Sequence, residues 1–390
     1  MKKKILFVYY DMMLGGSTTS LLSLLHNIDY KKYEVDLLLY KNEGPFYEYI
    51  PKKVNVLEQA CVQQPILIKI VKLLLSGYFF KVIFAKLKYK KNIHPMYQYL
   101  AYSQLNYCRK IEKEYDVAVG FLELWPDIYV NSELVKAKKK ITWIHMDYEK
   151  SGYDPRIDRK MLEKSNYVVC VSEECLQNFN KVFPELKNKS VFVPNILTKG
   201  YLLSRCTETV DNPCKANVIN LLSVCRIDIE TKGLDRGLKA IKCLIKDGYQ
   251  IHWYIIGGGF EYERFSNMIA KEGMNQYITL LGQKNNPYPY FQYFDALFFP
   301  SRREGKPMAV TEAQMLGLPI LATNYAAACE QIENGIDGIV EENSEEGVYR
   351  LLEKICKNPE RLKELKKNTV EKNYDNLQDI EYIYTLFFSK

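Results

Sequence analysis

The sequence predicts an α/β protein built of two Rossmann-like domains, and three observations carry that expectation. The chain's 390 residues are long for a single core. Apolar runs of strand length alternate with helical spacing from Lys3 to Asn195, and a second, independent series of the same kind begins at Ile219. Between them Thr198 to Asn217 is largely polar, with Asp211, Asn212 and Pro213 as turn formers, so the expected division is 1–197, a linker over 198–217, and a second domain over 218–375.

The first domain opens on KKILFVYY, residues 3–10, a buried strand, followed by a loop that ends in Gly15 and Gly16 before helical spacing from Thr18 to Ile28. A double glycine lets backbone approach a ligand closely, and Ser17, Thr18 and Thr19 can cap the helix. Tyr33 to Tyr40 and Val54 to Leu57 read as strands. From Pro65 to Lys91 there are seven lysines and no acidic residue, with apolar residues spaced for one or two amphipathic helices broken near Ser76-Gly77. Two accounts of that stretch stay open: a solvated lysine face, or contact with an anionic membrane surface. Met96 to Tyr115 reads as a helix and Asp116 to Phe121 as a strand, with Glu123, Trp125 and Asp127 in the loop beyond. The strand in ITWIHMDY, residues 141–148, ends at His145, at the carboxyl edge of the sheet where parallel strands hold ligands; Asp147 and Glu149 lie beside it. Tyr167 to Ser172 runs into a helix with Glu173 and Glu174 in its first turn, and Val191 to Asn195 closes the domain.

In the second domain Ile219 to Cys225 is the first strand, Arg226 ends it, and Lys232-Gly233 opens the first helix. Two cations at a strand end and a helix start can neutralise a diphosphate. The strand His252 to Ile256 ends in Gly257-Gly258-Gly259, then Tyr277 to Leu281 and a short helix over 287–294 lead to the most informative stretch, Asp295 to Thr323. There Ala296 to Phe299 is a buried strand, Glu304, Gly305, Lys306 and Pro307 form a tight loop, Met308 to Leu316 is helical, Gly317 stops it, and Ile320-Leu321 begins the next strand. Such a loop aims the N–H groups of a helix start into the crevice at the strand ends, where a phosphate can be held without a metal. Glu304 before the helix and Glu312 on it are carboxylates of the kind that accept paired hydrogen bonds from sugar hydroxyls. A sugar nucleotide carries both phosphate and hydroxyls. No acidic D-x-D-like pair stands at the phosphate site, so no metal is expected.

Glu304-Gly305-x-Pro307 followed by Glu312-Ala313 resembles the E-x7-E signature of the family-4 glycosyltransferases with the GT-B fold. The resemblance covers nearly the whole chain and is most specific from Ile219 to Val340. It implies two Rossmann-like domains facing each other across a cleft, the first binding the acceptor and the second the donor, with a C-terminal segment 376–390 whose helix near Asp379 to Phe388 crosses back to the first domain. The implied reaction is retaining, metal-independent hexosyl transfer from a nucleotide sugar, UDP- ahead of GDP-, with no cofactor, to a glycan or lipid-linked acceptor in cell-surface polysaccharide synthesis. Arg226 and Lys232 would stabilise the departing diphosphate, helped by the helix start at Pro307 and Met308 and flanked by Gly257, Gly305 and Lys306. Glu304 would hold sugar hydroxyls and Glu312 the ribose. Gly15 and Gly16 would face the donor phosphates, and His145 the donor sugar. Ser and Thr stand after Gly16 where many members are charged, and Ala327-Ala328-Cys329 replaces the Gly-Gly that usually precedes the counterpart of Glu330.

A nucleotide-sugar epimerase of the same fold remains an alternative, and so does a non-enzymatic membrane-surface adaptor, which would not need Arg226, Lys232, Glu304 and Glu312 in one crevice. A nicotinamide-dependent oxidoreductase fits less well, because Gly257-Gly258-Gly259 lacks the spacing of a dinucleotide fingerprint. Net charge is +7, divided unevenly: residues 1–200 hold 31 Lys and Arg against 21 Asp and Glu, the remainder 23 against 26. A basic half could face nucleic acid or an anionic membrane surface, and charge alone does not choose between them; with the glycosyltransferase resemblance, no nucleic-acid partner is expected. Ten cysteines include no C-x-x-C pair, and neither a signal peptide nor a run of spanning length is present. Reduced thiols, no disulfide, no structural zinc and a cytoplasmic location, peripheral on the inner face of the membrane, are the expectation.

Overall fold

Every pairing between named strands is parallel in both sheets of the computed structural model, which describes residues 2–61, 65–89, 92–304, 306–325 and 327–389. Gly305, and Lys90 and Lys91 of the lysine run, lie outside the described residues. The chain divides into two units, Met1–Ile196 with Asn376–Lys390, and Leu197–Asp375.

The first unit runs β1 (Lys3–Tyr9), α1 (Gly16–Asn27), β2 (Tyr33–Leu39), β3 (Asn55–Val56), α2 (Ile66–Leu75), α3 (Tyr78–Lys88), α4 (His94–Gln104), β4 (Ile111–Gly120), α5 (Trp125–Asn131), β5 (Val135–Ile144), α6 (Pro155–Leu162), β6 (Tyr167–Cys170), α7 (Glu173–Val182) and β7 (Ser190–Phe192). Its seven strands lie in the order β3-β2-β1-β4-β5-β6-β7. The order reverses between β1 and β4, the place where doubly wound sheets open a crevice at their carboxyl ends. Ile5 to Tyr9 are all buried, as a strand covered on both faces requires. The α7 start is capped as its sequence suggests, Ser172 Oγ accepting from Cys175 N at 3.1 Å. The C-terminal helix Asp379–Phe388 belongs to this unit: Phe388 stacks on Tyr33 with centroids 5.0 Å apart, and Asp29 N–H donates to Tyr384 Oη at 3.0 Å.

Four expectations are corrected here. The helix read over Met96 to Tyr115 ends at Gln104, and Ile111–Tyr115 joins β4, because Ile111 and Tyr115 are buried while Glu112 and Glu114 face water, a period nearer two than 3.6. Trp125 and Asp127 are not in a loop: Trp125–Asn131 is a helix with Pro126 in its first turn, and all seven residues are buried. Ser17, Thr18 and Thr19 do not cap α1; Gly15 is the N-cap, Thr18 Oγ1 donates back to Met13 O at 2.7 Å, and Ser17 Oγ pairs with Tyr9 Oη at 2.7 Å. Finally, Cys61 and Cys108 form a disulfide. They face each other in an isolated antiparallel bridge with Cα atoms 4.1 Å apart, a proximity that a sequence separation of 47 conceals.

The second unit runs α8 (Lys199–Arg205), β8 (Ile219–Val224), α9 (Leu234–Lys246), β9 (Ile251–Ile256), α10 (Tyr262–Lys271), β10 (Ile278–Gly282), β11 (Ala296–Phe299), α11 (Met308–Met315), β12 (Ile320–Thr323), α12 (Ala328–Gln331), β13 (Gly338–Glu341), α13 (Glu345–Lys357) and α14 (Glu360–Glu371), with a 3-10 segment Tyr288–Tyr293 before β11. Within the polar stretch 198–217, α8 forms under a Thr198 cap. The six strands lie in the order β10-β9-β8-β11-β12-β13, reversing between β8 and β11. Trp253 on β9 centres the core, edge-on to Phe298 at 5.2 Å, with its indole N–H satisfied by Ser223 Oγ at 2.8 Å.

Candidate active site

In the second unit the candidate residues gather at the carboxyl ends of β8, β9 and β11. After β8 the chain turns through Arg226 to Lys232, and Ile227 N–H donates to Gly258 O at 2.8 Å, tying this turn to the glycine loop after β9. A Cβ at Gly257 would lie 1.8 Å from Cys225 O, so only glycine lets these two turns lie side by side. Asp228 Oδ1 accepts from Thr231 N at 3.0 Å and shapes the approach to α9. At the helix entrance Gly233 adopts φ +63°, and a Cβ there would meet Pro300 O at 2.0 Å, which locks the start of α9 to the end of β11.

That lock brings together two candidates 72 residues apart. Lys232 Nζ lies 2.5 Å from Glu304 Oε1, with only 18% and 12% of the two side chains exposed. Arg226, by contrast, has 67% of its side chain exposed and only a 3.6 Å approach to Asp228 Oδ2. The site therefore holds one cation already neutralised by a carboxylate and one presented to solvent. Bidentate Arg302–Asp235 contacts at 2.6 and 2.8 Å, and Arg236 Nε on Pro300 O at 2.8 Å, hold the loop beneath them.

Helix α11 starts at Met308 after Pro307, without a side-chain cap and without an acidic residue in its first turn. Both features suit an anion at a helix start. Lys306 is exposed. Glu312, in the second turn of α11, is buried; Tyr288 Oη donates to its Oε1 at 3.1 Å, and burial pushes its carboxyl up to about 7. Sequence reasoning missed Gln331, whose amide reaches Pro307 O at 3.2 Å and Thr311 Oγ1 at 3.1 Å and so braces the start of α11. Its neighbour Glu330, which begins a further segment similar to the family's, is exposed.

In the first unit Gly15 and Gly16 are exposed at the start of α1. His145 follows β5, its ring 5.1 Å from that of Phe121, and burial pushes its imidazole down to about 3, so it is neutral at physiological pH. The structure adds Glu123, which sequence reasoning had left in a loop. Its carboxyl accepts hydrogen bonds from its own N–H and from those of His145 and Met146, and burial raises it to about 7. Between Glu123 and α5, Leu124 adopts φ +68°, one of two non-glycine residues with positive φ among those described. Glu123 Oε2 and His145 Nε2 are both buried, and neither has a hydrogen-bond partner among the described residues.

Comparison with known proteins matches residues 211–372 to the family described as Glycosyl transferases group 1. An uncharacterized glycosyltransferase of Haemophilus influenzae is 26% identical over 226 residues, 57% of this chain and 61% of that protein. The capsular polysaccharide biosynthesis glycosyltransferase CapM of Staphylococcus aureus is 25% identical over 175 residues, 42% of this chain and 45% of CapM. The chain thus spans about half the length of these curated relatives. Among solved structures, Anabaena HepE in complex with UDP and glucose superposes with a TM-score of 0.70 at 13% identity, covering 100% of both chains. The chain has the GT-B fold, and the part of it that matches the Glycosyl transferases group 1 family is the unit that holds Arg226, Lys232, Glu304 and Glu312.

Proposed function

We propose that this protein is a retaining, metal-independent glycosyltransferase that moves a hexosyl group from a nucleotide sugar, UDP- ahead of GDP-, to a glycan or lipid-linked acceptor in cell-surface polysaccharide synthesis. The observation that carries this reading is the contact of Lys232 with Glu304 at the ends of β8 and β11, beside an exposed Arg226. An incoming diphosphate gives Lys232 a second anion to pair with, and Arg226 supplies a planar fork for phosphate oxygens. Glu304 is then free to accept hydrogen bonds from sugar hydroxyls. Glu312 sits deeper, for the ribose, and neutral His145 offers Nε2 to a sugar hydroxyl.

In the reaction the bond between the anomeric carbon and the diphosphate oxygen breaks, and its electron pair leaves with the diphosphate. The acceptor oxygen bonds to that carbon on the same face and its proton passes to the leaving diphosphate. Arg226, Lys232 and the start of α11 would meet the charge that develops, the kind of interaction worth a few kcal/mol of barrier. HepE and Staphylococcus aureus TarM, both of this fold, have been crystallised with UDP, and CapM is named for capsular polysaccharide biosynthesis; both facts favour this reading. Thermal unfolding in the presence of UDP- and GDP-sugars tests it, because a bound ligand raises apparent stability by mass action. The expected result is a rise with a UDP-sugar and turnover of that donor. No rise with any nucleotide sugar overturns the proposal, and release of free UDP with an epimerised sugar, in the absence of acceptor, would make the protein an epimerase.

A further inference from the structure

We propose that α2 and α3 form a membrane-docking surface that lies flat on an anionic bilayer and inserts apolar side chains into its interface, independently of the sugar chemistry. In an ordinary amphipathic helix the apolar stripe faces the core. Here it faces water. On α3, Phe80, Ile83, Phe84 and Leu87 recur at i, i+3, i+4 and i+7, and all four are exposed, Phe80 by 72%. On α2, Leu67, Val71, Leu74 and Leu75 repeat at i, i+4, i+7 and i+8, and these are exposed as well, Leu75 by 82%. The opposite side of α3 is occupied: Ala85 is buried, and Tyr78 stacks on Tyr102 of α4. So much large apolar surface in one place marks an interaction site.

Charge identifies the partner. Lys72, Lys81, Lys86 and Lys88 stand on these helices, and no acidic residue occurs from Pro65 to Lys91. At 100° per residue Lys81 and Lys88 fall on one side of the α3 stripe and Lys86 on the other, the arrangement of a helix lying in a headgroup layer. Lys88 Nζ lies 5.6 Å from the centre of the Phe84 ring, so a cation stands beside the exposed apolar stripe, and a long lysine stem lets the ammonium reach headgroups while the ring enters the apolar layer. A second copy of the chain is a poorer occupant, since a two-fold contact would set this acid-free cationic surface against itself. Neither helix is long enough to span a bilayer, and no described helix is long and apolar enough to do so. Docking on the surface is the geometry left.

Flotation of the full-length protein with vesicles tests this. Mixed phosphatidylcholine–phosphatidylglycerol vesicles should carry the wild type upward, and pure phosphatidylcholine vesicles should carry far less. Replacing Lys81, Lys86 and Lys88 together with Gln should lower partitioning to the anionic vesicles about a hundredfold, which is roughly 3 kcal/mol at 1 kcal/mol per lysine. Phe80→Ser with Phe84→Ser and Leu87→Ser should abolish flotation on either vesicle while far-UV circular dichroism and the thermal shift with UDP stay at wild-type values. Wild-type protein that remains at the bottom, serine variants that float as the wild type does, or a wild-type dimer that those variants convert to monomer in sedimentation velocity would each overturn the proposal. UDP binding is read separately, so failure here leaves the proposed donor chemistry untouched, and the reverse holds too.

Discussion

Glu304→Ala removes one partner of the pair with Lys232 and strands an ammonium whose side chain is only 18% exposed. Breaking a fully buried pair costs about 3–5 kcal/mol; with some water reaching both groups, about 2 kcal/mol is the expected loss. For a unit of this size that lowers the melting temperature by roughly 4–8 °C. Glu304→Gln keeps an oxygen to accept from Lys232 and should lose about 1 kcal/mol or less. Turnover of a UDP-sugar separates holding Lys232 from holding substrate. If the carboxylate binds sugar hydroxyls, both variants lose about 10²–10³ in kcat/KM. Calorimetry beside initial rates gives both readouts, and the double variant Glu304→Gln with Lys232→Met should recover stability without recovering rate, a coupling that the mutant cycle measures. Wild-type turnover in Glu304→Gln would reduce Glu304 to a structural partner of Lys232, and wild-type stability in Glu304→Ala would refute the pairing.

Arg226→Ala should leave the melting temperature unchanged, since exposed side chains of this kind move stability by about 0.5 kcal/mol at most, yet cost about a hundredfold in turnover; normal turnover removes Arg226 from the site. On the proposed reading activity should survive EDTA, because Arg226, Lys232 and the start of α11 would meet the phosphate charge, and a complete loss that magnesium or manganese restores would point to a metal-bridged diphosphate. Burial raises Glu312 from 4.5 to about 7, so the folded chain binds its proton more tightly than the unfolded chain does and stability from this group falls as pH rises between those values. Glu312→Gln should flatten that decline in urea titrations between pH 4.5 and 7, and an unchanged pH dependence would contradict the burial.

How much of this was legible in the sequence depended on period and on partners. The two α/β domains were readable because buried parallel strands such as Ile5 to Tyr9 and Ala296–Phe299 are continuous apolar runs, which no solvent-facing strand produces, whereas GT-B itself came from the family resemblance. The split of the lysine run at Ser76-Gly77 was readable too, Gly77 taking φ +74° between α2 and α3. Ile111–Tyr115 misled because its exposed Glu112 and Glu114 also suit a helix surface, and only pairing with β5 settles it. Residues whose meaning lies in a distant partner were hidden: Cys61 with Cys108, Gln331 with Pro307 and Thr311, and Glu123 with the backbone of His145.

Glu123 bears on how the proposed chemistry is divided between charge and hydroxyl recognition. Burial raises its carboxyl to about 7 and lowers His145 to about 3, so between those pH values both side chains are mainly uncharged. Two neutral groups with unpartnered buried atoms offer hydrogen bonds and no net charge. That suits a hydroxyl and does nothing for a diphosphate, whose charge the proposed reading assigns to Arg226, Lys232 and the start of α11. Stabilisation by UDP, which lacks a sugar to transfer, should therefore survive Glu123→Gln and His145→Gln, while transfer from the UDP-sugar falls by tenfold or more, about 1.4 kcal/mol or above. Loss of UDP stabilisation in variants that still fold would show that these residues serve the phosphates after all, and the separation of charge from hydroxyl recognition would have to be abandoned.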